Sequence, residues 1–436
     1  MKKEIIFLLS LCFFSLNSQE LSRRPLLGIR MVSVTAETQR VMNLPEQKGV
    51  LIEKVIANST AEKAGFKIGD ILLKLNNEEI TTPEQAVKLV AQSASGQIFT
   101  YEILRDKELK KGSSTFEPMP VEKHEGIVME YKAVKTVNGM QRLIVSRPPD
   151  NKKHPVLVFI GGIGCYSLDF PMDDKRSEVQ LLNRLTREGY VCVRAEKPGV
   201  GDNMKCTPCN EVSFNHEIES YISAVNAIKE YSYVDSAGIF ILGHSMGGVM
   251  APVIAAGAKV KGIIAYGTIG SNFLEYLAKT RRTLALAYEM NPQETDDYIK
   301  DWCECSAYYF LDGLTTAQAT EKKVACSEIL SIFDLRSPAY NKELYALNIP
   351  GAWKNFNGKA LLLWGENDFV ASKEDHEIIA ATVNYYHKGN AVFKVVKNSS
   401  HGMNVSHSMQ EAVRQEEDDF NPEVSLTILS WLKSVA

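Results

Sequence analysis

Short apolar runs alternate with amphipathic segments from residue 156 onward. The runs have the length and the bounding turns of buried strands. They lie at residues 156–160, 191–195, 238–242, 262–266, 360–364 and 391–396. Helical patterns separate them, for example at 181–189 and 218–228, and Asn421-Pro422 begins a final helix. This alternation predicts an α/β fold in which helices cover both faces of a mostly parallel sheet.

The alternation is interrupted between residues 271 and 353, where the pattern is mainly helical and rich in tyrosine. Two extended segments, 127–134 and 142–146, precede the first apolar run. We therefore predict one large domain at residues 123–436, with a helical lid at about 271–353 above the sheet.

Residues 25–106 follow a different pattern, in which short strand-like runs are separated by turns that contain glycine. One helix is predicted after Thr82, because Thr82 can cap it, Pro83 suits its first position and Gln85 completes a capping box. We therefore expect a small α+β domain here. Residues 107–122 are rich in Lys, Ser and Pro, and we expect them to form a linker.

The first residues have the organisation of a targeting segment. Lys2-Lys3 precedes an apolar run at residues 5–16, and Asn17-Ser18-Gln19 supplies a small residue where cleavage can occur. This order is typical of a secretory signal peptide, predicted here at residues 1–18. The run is shorter than the roughly 20 residues of a membrane-spanning helix. We therefore expect export to a periplasm or the cell exterior, without a transmembrane anchor.

Charge and cysteine content narrow the range of partners. The net charge is −4 and no stripe of Lys and Arg is present, so nucleic acid and anionic membranes are not expected partners.

Of eight cysteines, Cys12 lies in the signal peptide, and the remaining seven should include disulfides in an oxidising compartment. Cys192, in an apolar run, is expected to be a buried free thiol. Cys206-Thr-Pro-Cys209 has no His or Cys partner at ligand spacing, so neither a metal nor another cofactor is expected.

The strongest chemical signal is Gly243-His244-Ser245-Met246-Gly247, which directly follows the run at 238–242. A serine on a sharp strand-to-helix turn needs small residues two positions before and after it, because a Cβ there would collide with neighbouring backbone. Gly243 and Gly247 meet that need. We therefore predict that Ser245 is a nucleophile, and that His244 has a structural role.

A serine hydroxyl needs a base within hydrogen-bond reach, usually a histidine oriented by a carboxylate. Asp368 follows the run at 360–364 and is the predicted acid, with Glu366 as the alternative. His401 follows the last predicted strand and is the predicted base, with His407 as the alternative. Both loops follow the carboxyl ends of strands, where open parallel sheets place their sites.

The chain order Ser245, Asp368, His401 makes the large domain similar to the α/β-hydrolase superfamily. Residues 25–106 resemble a bacterial-type PDZ domain, like those attached to exported proteases. That resemblance depends on the turn Ala64-Gly65-Phe66, the strand that begins Gly69-Asp70-Ile71 and the capped helix.

The resemblances imply further site residues. In the hydrolase, the oxyanion donors would be the backbone N–H groups of Met246 and of Ile163, within Gly161-Gly162-Ile163-Gly164; Gly161 stands where the family usually has histidine. In the PDZ domain, Leu26-Leu27-Gly28-Ile29 would bind a C-terminal carboxylate and an extended peptide. A purely architectural or docking role for this domain is the alternative.

The resemblance to the α/β-hydrolase fold also implies which cysteines lie close together. Cys165 follows the oxyanion loop, while Cys206 and Cys209 follow the next strand's loop, and in this fold those strand ends are neighbours. We expect a disulfide from Cys165 to Cys209, or else to Cys206, with an unpaired Cys165 as the alternative. A second disulfide would join Cys326 to Cys303 or Cys305 and brace the lid.

Three functions are compatible with these residues. The leading one is an exported serine hydrolase that cleaves a carboxylic ester of a small molecule through an acyl-enzyme. The second is a serine peptidase of aminopeptidase type, favoured by the PDZ-like domain. The third is a non-catalytic peptide-binding protein on a hydrolase scaffold. Serine at position 245 argues against dehalogenases and epoxide hydrolases of the same fold, which use aspartate there.

Overall fold

The computed structural model describes residues 21–44, 46–203 and 206–435. The predicted signal peptide, residues 1–18, lies outside the described residues. The described residues fold into a small N-terminal unit and a large C-terminal unit.

The N-terminal unit is an antiparallel sheet with three short helices. Its strands are β1 (Pro25–Leu26), β2 (Ile29–Ser33), β3 (Val50–Val55), β4 (Ile71–Leu75), β5 (Glu78–Glu79), β6 (Ile98–Arg105), β7 (Glu108–Thr115) and β8 (Glu117–Pro118). Its helices are α1 (Ala36–Met42), α2 (Thr60–Lys63) and α3 (Pro83–Gln92). The main sheet has the order β2-β3-β4-β6-β7, while β5 pairs with β4 and β1 with β8. Thr82 caps α3 and forms the predicted capping box with Gln85.

The predicted linker at residues 107–122 is wrong in its first half. Residues 108–115 form β7, which pairs along its whole length with β6. Asp106 and Lys107 make the connecting turn, and their φ angles of 52° and 66° suit a tight hairpin. Because β7 is an exposed edge strand, it carries the charged and small polar residues that protect sheet edges, and this composition resembles that of a linker.

The C-terminal unit contains eight strands and twelve α-helices within the described residues. Its strands are β9 (Val128–Thr136), β10 (Gly139–Arg147), β11 (His154–Ile160), β12 (Val191–Ala195), β13 (Val234–His244), β14 (Gly262–Tyr266), β15 (Lys359–Gly365) and β16 (Ala391–Val396). Its helices are α4 (Ser177–Arg187), α5 (Phe214–Ile228), α6 (Met246–Ala258), α7 (Phe273–Ala287), α8 (Pro292–Phe310), α9 (Thr316–Lys322), α10 (Cys326–Leu330), α11 (Pro338–Ala346), α12 (Ile349–Lys354), α13 (Lys373–Tyr386), α14 (Met409–Arg414) and α15 (Pro422–Ser434).

These strands form one sheet of order β16-β15-β14-β13-β11-β12-β10-β9. The pairs from β16 to β12 are parallel, while β10 pairs antiparallel with both β12 and β9. Side chains alternate across the sheet, so Val156 and Val158 of β11 enter one core cluster while Leu157 and Phe159 enter the other. The first cluster is covered by α5 and α6 and the second by α4 and α15, which confirms the predicted α/β class.

The segment between β14 and β15 holds the helices α7 to α12. A disulfide between Cys305 and Cys326 joins α8 to α10, with the Cα atoms 5.3 Å apart. Of the two partners considered for Cys326, the structure therefore has Cys305, and Cys303 is exposed and free.

The segment that precedes β1 contacts the large unit. The Arg23 guanidinium lies 2.7 Å from carboxylate oxygens of both Asp169 and Asp202, and the buried Arg142 donates to the Leu21 carbonyl. These charge-assisted bonds tie the N-terminal segment to two loops of the C-terminal unit.

Within the described residues, no helix is long and apolar enough to span a bilayer.

Candidate active site

Ser245 stands between β13 and α6 in a conformation that serine rarely adopts. Its φ and ψ are 56° and −121°, a strained combination that surrounding packing must hold in place. A Cβ at Gly243 would come within 2.6 Å of Gly247 backbone atoms, and one at Gly247 would overlap the Ile160 carbonyl oxygen. The two glycines therefore let β13 and α6 approach closely enough to form the turn.

The structure brings Asp368 and His401 into direct contact. Nδ1 of His401 lies 2.9 Å from Oδ2 of Asp368, and the other carboxylate oxygen accepts the N–H groups of Val370 at 2.8 Å and Ala371 at 2.9 Å. Burial alone would raise the pKa of Asp368, but His401 and these hydrogen bonds outweigh it, so the pKa lies below its ordinary value. An ionised Asp368 accepts a hydrogen bond from Nδ1–H of His401, which leaves Nε2 without a proton and available as a base.

The alternative acid and base lie elsewhere. The Glu366 carboxylate accepts the Asn398 N–H at 3.1 Å. The His407 side chain is 63% exposed and lies 4.0 Å from Asp418. Neither is hydrogen-bonded to Asp368 or His401 in the described residues.

His244 contacts the backbone of the predicted base, His401. Its ring is buried, and Nε2 donates to the backbone carbonyl of His401 at 2.8 Å. Burial, and then the proximity of His401, lower the pKa of His244 to about 4, so the ring is neutral at pH 7. This placement agrees with the structural role expected for His244.

Ser245 and the His401 ring make no hydrogen bond with each other in the described residues. Such bonds are often long before substrate binds and shorten in the reacting complex. The strand ends hold the two residues near each other, because the residue before Ser245 contacts the His401 backbone. A Cβ at Gly267 would lie 2.9 Å from both Asp368 Oδ2 and His401 Nδ1, so this glycine gives the pair its space.

The loop after β11 faces the serine. A Cβ at Gly162 would lie 3.4 Å from the Ser245 Cβ. The N–H groups of Ile163 and Met246, the predicted oxyanion donors, have no acceptor among the described residues. The Gly162 N–H instead donates to the Tyr166 hydroxyl at 3.3 Å. Tyr166 was missed by the sequence analysis, because a loop tyrosine gives no motif.

A disulfide joins this loop to the loop after β12. It connects Cys165 to Cys209, the first of the two pairings considered, and the Cα atoms are 5.8 Å apart. Cys206 is free, and its thiol donates to the Met140 carbonyl at 2.9 Å. Cys192 is buried and free, and burial raises the pKa of its thiol to about 12, which makes it unreactive.

The predicted peptide site of the N-terminal unit connects β1, which ends at Leu26, to an edge strand, β2, which begins at Ile29. β2 is at the open side of the sheet, so its outer N–H and C=O groups are available to an added strand. Gly28, in the Leu26-Leu27-Gly28-Ile29 loop, has a φ of 78°, and a Cβ there would overlap the Ser59 side chain. The helix α3 packs beside β2.

Comparison with known proteins agrees with this architecture. The model of the alpha/beta hydrolase family matches residues 157–415, which is more than half of the chain. The chain belongs to the alpha/beta hydrolase family. A PDZ domain model matches residues 51–105, so this hydrolase carries an N-terminal PDZ domain.

Curated relatives are similar through the PDZ region. A probable periplasmic serine protease do/HhoA-like of Haemophilus influenzae is 33% identical over 84 residues, which are 19% of this chain and 18% of that protein. The periplasmic serine endoprotease DegP of Escherichia coli is 32% identical over 84 residues, with the same coverage of 19% and 18%. The chain thus spans less than a fifth of these relatives.

Among solved structures, Est1E from Butyrivibrio proteoclasticus with bound ferulic acid is 14% identical to this chain. The match covers 68% of this chain and 98% of that one, with a TM-score of 0.42.

Proposed function

We propose that this member of the alpha/beta hydrolase family is an exported serine hydrolase that cleaves a carboxylic ester through an acyl-enzyme. The observation that carries the proposal is the Asp368–His401 hydrogen bond beside a serine held at positive φ between two obligatory glycines. These are the three parts that nucleophilic acyl transfer needs: a hydroxyl nucleophile, a base, and a carboxylate that orients the base.

In the proposed reaction, Nε2 of His401 takes the Ser245 proton while Oγ attacks the ester carbonyl. The resulting oxyanion accepts the N–H groups of Met246 and Ile163. His401 then gives the proton to the departing alcohol, and the acyl group remains on Ser245. Water, deprotonated by His401, attacks the acyl-enzyme, and His401 returns that proton to Oγ of Ser245 as the acid is released. Asp368 stays ionised throughout and stabilises the imidazolium.

A serine peptidase is the second candidate, because of the exposed edge strand β2. A PDZ domain that adds an extended peptide to this edge would bring peptide chains to the same molecule as Ser245. In either reaction we propose that Leu26-Leu27-Gly28-Ile29 binds a peptide or protein C-terminus.

Export is supported by the N-terminal basic and apolar segment and by the two disulfides, which persist in oxidising compartments. Mass spectrometry of protein secreted by a bacterial host tests this part. Removal of residues 1–18 is expected, and an intact N-terminus on soluble protein would contradict the signal peptide.

The chemistry is tested with short p-nitrophenyl esters and aminoacyl-anilides, beside labelling by a fluorophosphonate. We expect ester turnover, labelling of Ser245, and loss of both in S245A. Ser223→Ala is the matched control, since Ser223 is a half-buried serine on α5 outside the site, and it should keep full activity. Faster anilide turnover would favour the peptidase. Absence of labelling in the folded protein would favour a binding protein without catalysis.

A further inference from the structure

The carbonyl groups of the oxyanion loop are held from behind by two buried cations. Lys197 Nζ donates to the Gly162 carbonyl, and Nη1 of Arg336 donates to the Ile163 carbonyl at 2.9 Å. Both residues are only 3% exposed. Lys197 follows β12, and Arg336 belongs to the helical insertion between β14 and β15.

These contacts fix the direction of the N–H groups. In a trans peptide the C=O and N–H bonds point in opposite directions. The Gly162 carbonyl shares a peptide plane with the Ile163 N–H, so the bond from Lys197 turns that N–H away from the lysine. The bond from Arg336 fixes the next peptide, which carries the Gly164 N–H, in the same way.

The Glu217 carboxylate lies beside both cations. Glu217 of α5 lies 3.3 Å from Lys197 Nζ and also accepts a bond from Nη2 of Arg336, and it is 1% exposed. Two cations and one anion leave a net positive charge behind the loop. Burial lowers the pKa of Lys197 to about 8, and the Glu217 carboxylate keeps it from falling further, so the amine is mostly charged at pH 7.

Arg336 also connects the insertion to the loop. Its guanidinium lies 3.7 Å above the Tyr340 ring, and Tyr340 is fully buried in α11. Cation–π contact and the Glu217 bond leave this side chain little freedom. A shift of the insertion would therefore move Arg336 together with the Ile163 carbonyl that it holds.

We propose that Lys197, Glu217 and Arg336 are positioning residues that hold the peptide groups on both sides of Ile163, so that the Ile163 N–H points at the carbonyl attacked by Ser245. This inference rests on the proposed function. The cluster touches no reacting atom: it orients peptide groups and places positive charge behind them, where negative charge develops in the transition state. The helical insertion thereby helps to hold the oxyanion loop through Arg336.

The first test compares K197M with K229M. Lys229 is the matched control, because its amine also donates to a backbone carbonyl, that of Ala258 at the far end of α6. Removal of an oxyanion donor costs on the order of 10²–10³ in kcat. A donor that is only misdirected should cost less, so we expect kcat for a p-nitrophenyl ester to fall about 10- to 100-fold in K197M. KM should change less than about threefold, and labelling of Ser245 by a fluorophosphonate should slow in proportion. K229M should keep its kcat.

The second test uses R336Q and remains decisive if K197M does not fold. Arg147 is its matched control, since it donates to Glu130 at 2.7 Å and to the Asp150 carbonyl at 3.2 Å, and lies 4.9 Å from the Tyr233 ring. We expect R336Q to lower kcat with little change in KM, and R147Q to leave kcat unchanged.

The two proposals fail differently. If S245A is inactive while folded K197M and R336Q keep wild-type kcat, the positioning inference is overturned and the proposed function stands. If S245A retains full ester turnover, the proposed function itself is overturned. A rise in KM alone would assign the cluster to substrate binding and would also overturn the positioning role.

Discussion

The elbow at Ser245 and the loop at residues 161–164 lie side by side, yet they are shaped in different ways. The elbow is shaped by residues two positions away along the chain, Gly243 and Gly247, through steric exclusion. The loop is shaped by distant residues, through the disulfide from Cys165 and the cations of Lys197 and Arg336. One part of a site can thus be recognised from a local sequence motif. Another part can depend on distant residues and have almost no local sequence pattern.

The largest effect is expected when the elbow is broken. In G247A the new Cβ would overlap the Ile160 carbonyl oxygen, so β13 and α6 must separate and Ser245 loses its position. We expect esterase activity to fall more than about 10³-fold, with destabilisation of about 3 kcal/mol or more by urea denaturation.

Gly402 provides the control for this change, because a Cβ there would meet nothing closer than 3.7 Å. G402A should keep most of the stability and activity. A G247A protein as active as G402A would show that sterics do not shape the elbow.

The next effect tests the loop through its disulfide. In the chain-entropy model, loss of the link between Cys165 and Cys209, 44 residues apart, costs about 4 kcal/mol. The link between Cys305 and Cys326, 21 residues apart, should cost about 3 kcal/mol. Double serine variants of each pair can be compared by urea denaturation and by kcat.

The two pairs should differ more in kcat than in stability. Only the Cys165 pair touches the oxyanion loop, so we expect its loss to lower kcat at a temperature where both variants are folded. Equal kcat values in the two variants would mean that the disulfide holds the fold and not the loop.

A pH effect tests the segment that follows this loop and leads to α4. Glu122 accepts the Phe170 N–H at 2.8 Å and pairs with the buried Arg194, which donates to the Leu168 carbonyl at 2.7 Å. Burial opposes ionisation of Glu122, but the bonds from His124 and Arg194 lower its pKa from 4.5 to about 2. The ionised Glu122 therefore contributes up to about 3 kcal/mol to the free energy of unfolding. This contribution is complete above pH 4.5 and is lost as the pH falls through 2.

Urea denaturation of wild type and E122Q between pH 6 and 2 measures this contribution. The stability difference between them should shrink toward low pH. E374Q, which alters an exposed carboxylate, should follow wild type at every pH. A constant difference between wild type and E122Q would contradict the assigned shift.

The smallest effect belongs to a purely local feature of the PDZ domain. T82A removes the cap of α3 and should cost about 1 kcal/mol by thermal denaturation. T82S keeps a hydroxyl that can cap, and should lie close to wild type. Equal losses in both variants would mean that packing of Thr82, and not the capping bond, matters.

Much of the fold could be predicted because its signals are local. The apolar runs at 156–160 and 262–266 became β11 and β14, since short buried strands require continuous apolar sequence. The strand β7 was missed, because at a sheet edge its residues are polar and only the pairing with β6 defines it. The triad and the oxyanion donors stay predictions, and the Asp368–His401 hydrogen bond supports the triad.

The sequence by itself determined the α/β class, the PDZ unit and the serine turn, because periodicity and glycine sterics act within a few residues. Only the tertiary structure decided that Asp368 and not Glu366 contacts His401, and that Cys165 joins Cys209 and not Cys206. It also placed Lys197 and Arg336, 139 positions apart (336 − 197), behind one loop. Contacts of that kind depend on how the strand ends meet in space, because residues far apart in the sequence become neighbours only when the chain is folded.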